Sequence, residues 1–465
     1  MSQRDTGGNG SPTARVEHDS LGPVEVAAGR RWGAQTERCL RNFPIGGGRY
    51  RWGRAAIRAL AIVKKCAALA NARLGQLSRE KADRIARAAQ EVIEGRWDEE
   101  FPLVIFQTGS GTQTNMNANE VIAHLASREG GAVHPNDDVN RSQSSNDVFP
   151  TAMHIATVEQ VEDVLFPAIA VLRRTLDRKR EDFAHITMLG RTHLQDAAPV
   201  RLGQVISGWM AQLDGAASAI AGALEGIREL ALGGTAVGTG LNAPAEFGAY
   251  AASEIARETG KSFRSAANKF AALAAHDAMA NVSATLRTLA GALFKIANDV
   301  RWYASGPRGG IGELLLPANE PGSSIMPGKV NPTQCEALMQ AAVEVFGYDH
   351  AVAFAASQGN FQLNTFKPVI LYNVLESIRL LAEGCRAFEE HCVRDLEPDL
   401  DRIHEHVAKS LAGAPALNPH IGYDRAAEIA LAAAREGISL REAAVRAGIA
   451  GPQFDEWVRL EEMTR

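Results

Sequence analysis

Along the middle of the chain, apolar side chains recur at three- and four-residue steps. Leu202, Val205, Ile206, Trp209, Leu213, Ala217, Ile220, Leu224 and Ile227 fall on one stripe of a helix about seven turns long. The same periodicity predicts helices over roughly 151–180, 265–304, 333–357 and 368–394, with Pro167 kinking the first. Together these segments predict an all-α fold whose central domain is a long five-helix bundle. Before it, shorter helices alternate with glycine breaks such as Gly46-Gly47-Gly48; beyond Leu396 the chain returns to short amphipathic pieces. The expected division is a polar, frayed tail over 1–20, an N-terminal domain over 21–141, the bundle over 142–395 and a C-terminal domain over 396–465. Small residues at Ala216, Ala217, Ala219, Ala221, Gly222 and Ala223 let helix backbones approach closely. The apolar area exceeds what one five-helix unit hides, which predicts a homo-oligomer formed through the bundle.

Chemistry concentrates where the long helices are interrupted. Gly322-Ser323-Ser324-Ile325-Met326-Pro327-Gly328-Lys329-Val330-Asn331-Pro332 sets two hydroxyls, a cation and an amide among four residues that break or fix the backbone. A phosphate-binding P-loop needs four residues between its glycines and Ser or Thr after the lysine; here five intervene and Val330 follows Lys329, so that reading fails. A plain surface loop remains open for this stretch taken alone.

Thr108-Gly109-Ser110-Gly111-Thr112-Gln113-Thr114-Asn115-Met116-Asn117 is dense in hydroxyls and amides and leads into a helix whose first N–H groups can receive a carboxylate. One capping residue would suffice for a helix start, so the surplus favours a ligand. His134-Pro135-Asn136-Asp137-Asp138-Val139-Asn140 runs on into Ser142-Gln143-Ser144-Ser145-Asn146-Asp147. His134, Asp137 and Asp138 lack the second histidine that would complete a metal site, whereas so many uncharged donors suit a bound polar anion. His193 lies in the break Gly190-Arg191-Thr192-His193-Leu194-Gln195-Asp196, where an imidazole can exchange protons near neutral pH.

Composition narrows the classes. Of 465 residues 46% are hydrophobic and 22% charged, the net charge is −5, and basic residues form no blocks, which argues against nucleic acid or an anionic membrane as partner. No run approaches the roughly 18 apolar residues of a membrane span. Five cysteines without a Cys-x-x-Cys pair make a poor disulfide framework, and residues 1–20 carry neither a signal core nor a transit pattern, so a cytoplasmic protein with reduced thiols is expected.

Taken together, these segments resemble class II fumarases of the fumarase/aspartase superfamily. The likeness runs from about Gly22, through Trp32-Gly33-Ala34-Gln35-Thr36, to Phe454-Asp455-Glu456-Trp457-Val458, and its signature is the Gly-Ser-Ser-x-Met-Pro-x-Lys-x-Asn loop at 322–331. Gly328 before Lys329, and Ser144-Ser145-Asn146-Asp147, resemble fumarases; aspartases usually carry Ala at the first position and Ser-Thr-Asn-Asp in the second segment. The resemblance implies reversible hydration of fumarate to L-malate through an aci-carboxylate, without metal or organic cofactor. Ser323 would be the base, and His193, oriented by Glu336, would handle the hydroxyl leaving as water. Ser110, Gly111, Thr112, Ser144, Ser145, Asn146, Thr192, Ser324, Lys329, Val330 and Asn331 fall on the family's substrate-binding positions. His134, Pro135, Asn136 and Asp137 match its second dicarboxylate site, although Gly131 stands where many relatives have Arg. Ala412-Gly413-Ala414-Pro415 also departs from a more apolar run. The resemblance further implies a homotetramer with active sites shared between chains. Aspartate ammonia-lyase, and a non-catalytic structural relative, are the alternatives.

Overall fold

The computed structural model describes residues 14–464. Alternation of exposed and buried positions, with Val24 and Val26 turned inward, pairs β1 (Ala14–Asp19) antiparallel with β2 (Gly22–Ala27). This corrects the expected tail: residues 14–19 are a strand, closed by Asp19 Oδ1 accepting from Leu21 N at 2.9 Å. A hairpin of mostly polar residues buries too few side chains to betray itself in composition; the rest of that tail, 1–13, lies outside the described residues.

Helices follow in order: α1 (Ala34–Asn42), α2 (Arg54–Arg73), α3 (Arg79–Ile93), α4 (Thr112–Ser127), α5 (Ser145–Gln160) and α6 (Phe166–Asp182). A second hairpin, β3 (Thr187–Thr192) with β4 (Gln195–Arg201), leads into α7 (Leu202–Ile227), α8 (Phe247–Thr259), α9 (Lys269–Ala274), α10 (Asp277–Tyr303), α11 (Thr333–Ala356) and α12 (Lys367–Phe388). Short helices finish the chain: α13 (Leu400–Lys409), α14 (Asn418–Ile421), α15 (Tyr423–Glu436), α16 (Leu440–Arg446) and α17 (Gly451–Trp457). Two pairs of two-residue strands add to an otherwise all-α architecture. No helix among the described residues is long and apolar enough to cross a membrane.

The predicted long helices are present with local changes. The segment expected over 151–180 runs as α5, a π turn at Val161–Leu165 and α6, the turn falling just before Pro167, which has no N–H to give the helix and crowds the carbonyl four residues back. The segment expected over 265–304 divides where Ala275 turns extended between α9 and α10.

The chain forms two compact units. The first takes the described residues up to Leu165, Ala219–Arg287 and Glu344–Arg379. Its centre is α2, packed by α3, α5 and α8, with Leu60, Ile62 and Phe149 fully buried. Gly33 offers no side chain to cap α1, and Glu120 of α4 does it instead: its carboxylate accepts from Gly33 N (2.9 Å), Gln35 N (2.8 Å), Thr36 N (3.1 Å) and Thr36 Oγ1 (2.6 Å).

The second unit takes Phe166–Ser218, Thr288–Val343 and the chain from Leu380 onward. Glu313, fully buried, accepts both arms of the Arg191 fork at 2.7 and 2.8 Å and contacts His406 Nδ1 at 2.7 Å. Trp209 donates to Asp299 at 3.0 Å and Thr175 to Glu389 at 2.8 Å. The chain end has its own apolar cluster around Leu417, Ile429, Ala433, Leu440, Ala444 and Phe454.

Candidate active site

In the first unit the polar loop before α4 is pressed between two walls. A Cβ on Gly109 would fall 1.6 Å from Thr365 O, and one on Gly111, which is left-handed at φ 79°, would fall 2.3 Å from the Phe149 ring. Only glycine fits at either place. Gly111 cannot cap α4 with a side chain; Gln107 Oε1 accepts from Thr114 N at 3.0 Å instead, and the hydroxyls of Ser110 and Thr112 at the helix start lie 2.7 Å apart. Ser110 is buried, as an anion-binding hydroxyl screened from water would be.

The start of α5 lies against this loop through its amides. Asn115 Nδ2 donates to Ser145 Oγ (3.1 Å) and to Asn140 Oδ1 (3.2 Å), and Asn140 Oδ1 also accepts from Asn119 (3.1 Å). Ser144 caps α5, accepting from Asn146 N at 3.2 Å, while Asp147 closes the capping box by accepting from Ser144 N at 2.9 Å. In both serines the Oγ accepts from an N–H, which leaves the hydroxyl proton free to donate to a carboxylate. Asn146 Nδ2 donates to Ala236 O at 2.8 Å. Ser110, Thr112, Ser144, Ser145 and Asn146 are thus held within one unit at two helix starts.

Sequence reasoning missed Lys64. It is fully buried on α2, and its Nζ donates to Asn140 Oδ1 (3.0 Å) and Gln143 Oε1 (2.9 Å) of the same network. Burial pulls its ammonium down to about 7, opposed by the charge of Asp147. The signal was a lysine inside the apolar run Ala59–Ala70, where helical periodicity calls for a core residue.

His134 begins a π turn, its Nδ1 accepting from Asp137 N at 3.1 Å, and it and Asp137 are exposed. Asp138 is tied down by Lys81 at 2.8 Å and by His134 N at 2.8 Å. Asn136 reaches Met116 Sδ at 3.8 Å, and the Gly131 carbonyl accepts from Arg84 Nη1 of α3 at 2.9 Å. A guanidinium therefore stands beside Gly131 although it comes from another part of the chain.

In the second unit the loop of 322–332 holds itself. Gly322 N donates to Lys329 O at 2.9 Å, Asn331 Nδ2 donates to Gly322 O at 2.6 Å, and a Cβ on Gly322 would fall 2.3 Å from Lys329 O. At its turn Ser323 Oγ accepts from the backbone N–H of both Ile325 (3.2 Å) and Met326 (3.1 Å). Two amide dipoles aimed at one hydroxyl oxygen stabilise negative charge on it. Ser324, Lys329 and Val330 are exposed on the same loop, and the Lys329 ammonium makes no bond to any described residue. Pro332 leads into α11, which carries Glu336, exposed, in its first turn.

His193 and Leu194 form the two-residue turn of the β3–β4 hairpin, both left-handed at φ 56° and 60°, with His193 and its neighbour Thr192 exposed. Among the described residues no hydrogen bond or ion pair joins Ser323, His193, Lys329 or Glu336 to one another. Ser323 and Lys329 share one loop, His193 tips the hairpin and Glu336 starts α11; all but the half-buried Ser323 are exposed.

Long helices interrupted by segments rich in hydroxyls and amides are shared with the helical lyases to which the chain is similar. The family model described as Lyase matches residues 22–347, and that described as Fumarase C C-terminus matches 414–465. A class II fumarate hydratase of Thermosynechococcus vestitus is 56% identical over 457 residues, covering 97% of each chain. One from Pseudomonas aeruginosa is 57% identical over 458 residues, covering 97% of this chain and 98% of its own. The crystal structure of class II fumarase from Schistosoma mansoni superposes with a TM-score of 0.94 at 43% identity, covering 97% and 99% of the two chains. The chain belongs to the class II fumarate hydratase family.

Proposed function

We propose that this protein catalyses the reversible hydration of fumarate to L-malate by general acid–base chemistry. The observation that carries the reading is the pair of N–H groups on Ser323 Oγ, because the reaction needs a base strong enough to take a proton alpha to a carboxylate. An alkoxide held by two amides beside the Lys329 cation is such a base. Lys329, Val330 and Asn331 hold the carboxylate that becomes the aci-carboxylate, so their interaction strengthens as charge builds there. His193, positioned by Glu336, transfers the proton to and from the water that is lost or added.

Ser110, Gly111, Thr112, Ser144, Ser145, Asn146, Thr192 and Ser324 give uncharged donors to the two carboxylates, which orient the dianion without trapping it. The exposure of His193, Glu336 and Lys329 in one chain supports a homotetramer in which neighbouring chains complete each site. His134, Pro135, Asn136 and Asp137 form a second dicarboxylate site, with Arg84 in the role of the missing arginine.

The test is fumarate absorbance over time with purified protein, given L-malate or L-aspartate in parallel, with chelator present. Fumarate from malate alone is expected. Fumarate from aspartate alone would move the assignment to an ammonia-lyase, and silence with both would leave a structural relative.

A further inference from the structure

The buried cation on α2 is bonded to no carboxylate. An ammonium taken out of water is costly unless a carboxylate is bonded to it. Lys64 instead donates to two neutral amide oxygens, those of Asn140 and Gln143. The charge that acts on it is Asp147 of α5, whose oxygens are already engaged by the N–H groups of Ser144, Gly233 and Thr235. The remaining charged groups packed around α2 are paired elsewhere: Lys65 with Glu258 of α8, Lys81 of α3 with Asp138, and Arg58 with Glu159 of α5. From α4 come only the amides Asn115 and Asn119. Lys269 of α9 is a second cation drawn by Asp147.

What Lys64 does touch leads to the dicarboxylate donors. Asn140 Oδ1 accepts from Lys64, Asn115 and Asn119 together, and the same Asn115 amide donates to Ser145 Oγ. The cation fixes which way the Asn140 amide faces, hence which way Asn115 faces, hence the orientation in which Ser145 offers its proton.

We propose that Lys64 is a positioning residue for substrate, orienting the Asn140–Asn115–Ser145 chain and supplying from behind it the positive charge that the arriving dianion neutralises. This rests on the reading that Ser144, Ser145 and Asn146 bind the dicarboxylate. Because burial holds the free ammonium at about 7, the dianion restores the proton to a group that has lost it above that pH.

Lys64→Met removes the charge and keeps the length. The expected result is KM for both fumarate and L-malate raised about tenfold or more with kcat within about threefold, because interactions made equally in ground and transition states act on KM. A purely structural lysine would lower the active fraction and leave KM alone, and that outcome overturns the proposal.

Calorimetry of succinate binding, in a His193→Asn background and in two buffers of different ionisation enthalpy, decides the matter even if Lys64→Met does not fold. Proton uptake at pH 8 that fades below pH 7 is expected; its absence overturns the proposal. Ser145→Ala separates the two readings. If it leaves succinate affinity unchanged, the placement of the dicarboxylate fails; if it weakens affinity while Lys64→Met does not, only the role of Lys64 fails.

Discussion

The proposed base, Ser323, is a weak acid whose oxyanion two N–H groups of its own loop would stabilise. Its hydroxyl needs no neighbouring imidazole, because the turn at Ile325 and Met326 points two N–H groups at Oγ and Lys329 stands free on the same loop. Ser323→Ala therefore removes the proposed base without disturbing the bonds that close the loop, which run between Gly322, Lys329 and Asn331. Turnover should fall by about 10²–10⁴-fold with KM and melting temperature near those of the parent, read by steady-state kinetics and a thermal scan. Turnover within tenfold of the parent would remove Ser323 from the role. The loop's chemistry was legible because glycine, proline, hydroxyl and cation in one short stretch have few other uses. The role of Lys64 was not, because a lysine in an apolar run reads as an error in periodicity until the partners of its ammonium are known, and those partners are some 76 and 79 residues away in sequence.

At the scale of elements, the β3–β4 hairpin is an anchor for a two-residue tip. The sequence reading recognised a helix break at Gly190–Asp196 but no strands, since Thr187-Met188-Leu189-Gly190 does not alternate cleanly and the ladder itself shifts register between Leu189 and Arg191. A Cβ on Gly190 would lie 2.5 Å from Ala198 O, so the two strands close only around a glycine. What holds the tip end is Arg191, bidentate to Glu313, with His406 of α13 on the same carboxylate. Glu313→Ala leaves that guanidinium half-buried without its bidentate partner, with only the more distant charge of Asp196 acting on it, and losing one partner of a buried pair costs about 3–5 kcal/mol. Denaturant unfolding should register a loss of that order, and turnover should drop with it, because His193 rides on the strand that Arg191 pins. A stability change under about 1 kcal/mol would mean that solvent already screens the pair. The long helices, by contrast, were plain from a single stripe of apolar residues, and the differences lie where local chemistry interrupts that stripe, at the π turn before Pro167 and at extended Ala275.

For the whole molecule, the buried ionisable groups set a stability profile that no single site predicts. Burial lowers Lys64 and Lys367 from 10.5 to about 7 and Lys269 to about 8, and holds the His276 imidazole well below 6.5. Each of these groups is depressed in the folded state, so the unfolded chain binds protons that the folded chain has released, and stability rises with pH across that interval. For the histidine the interval ends near 6.5; for the lysines it begins near 7 and continues toward 10.5. Cysteines act in the opposite sense. Burial raises Cys39 and Cys385 from 9.0 to about 12 and pushes Cys66 up as well, and a hydrogen bond with Cys335 together with burial pushes Cys392 up, so above pH 9 the unfolded chain loses protons that the folded chain keeps, and stability falls. Melting temperature should therefore climb from pH 6 through 8 and flatten or turn over above about 9, measured by scanning fluorimetry at constant ionic strength. In Lys64→Met the climb between pH 7 and 9 should be shallower, since one of the three depressed ammonium groups that produce it is gone. A profile that peaks near pH 6 and declines steadily afterwards would show that these lysines keep their protons in the folded protein, and with that the proton taken up on substrate binding would have no acceptor.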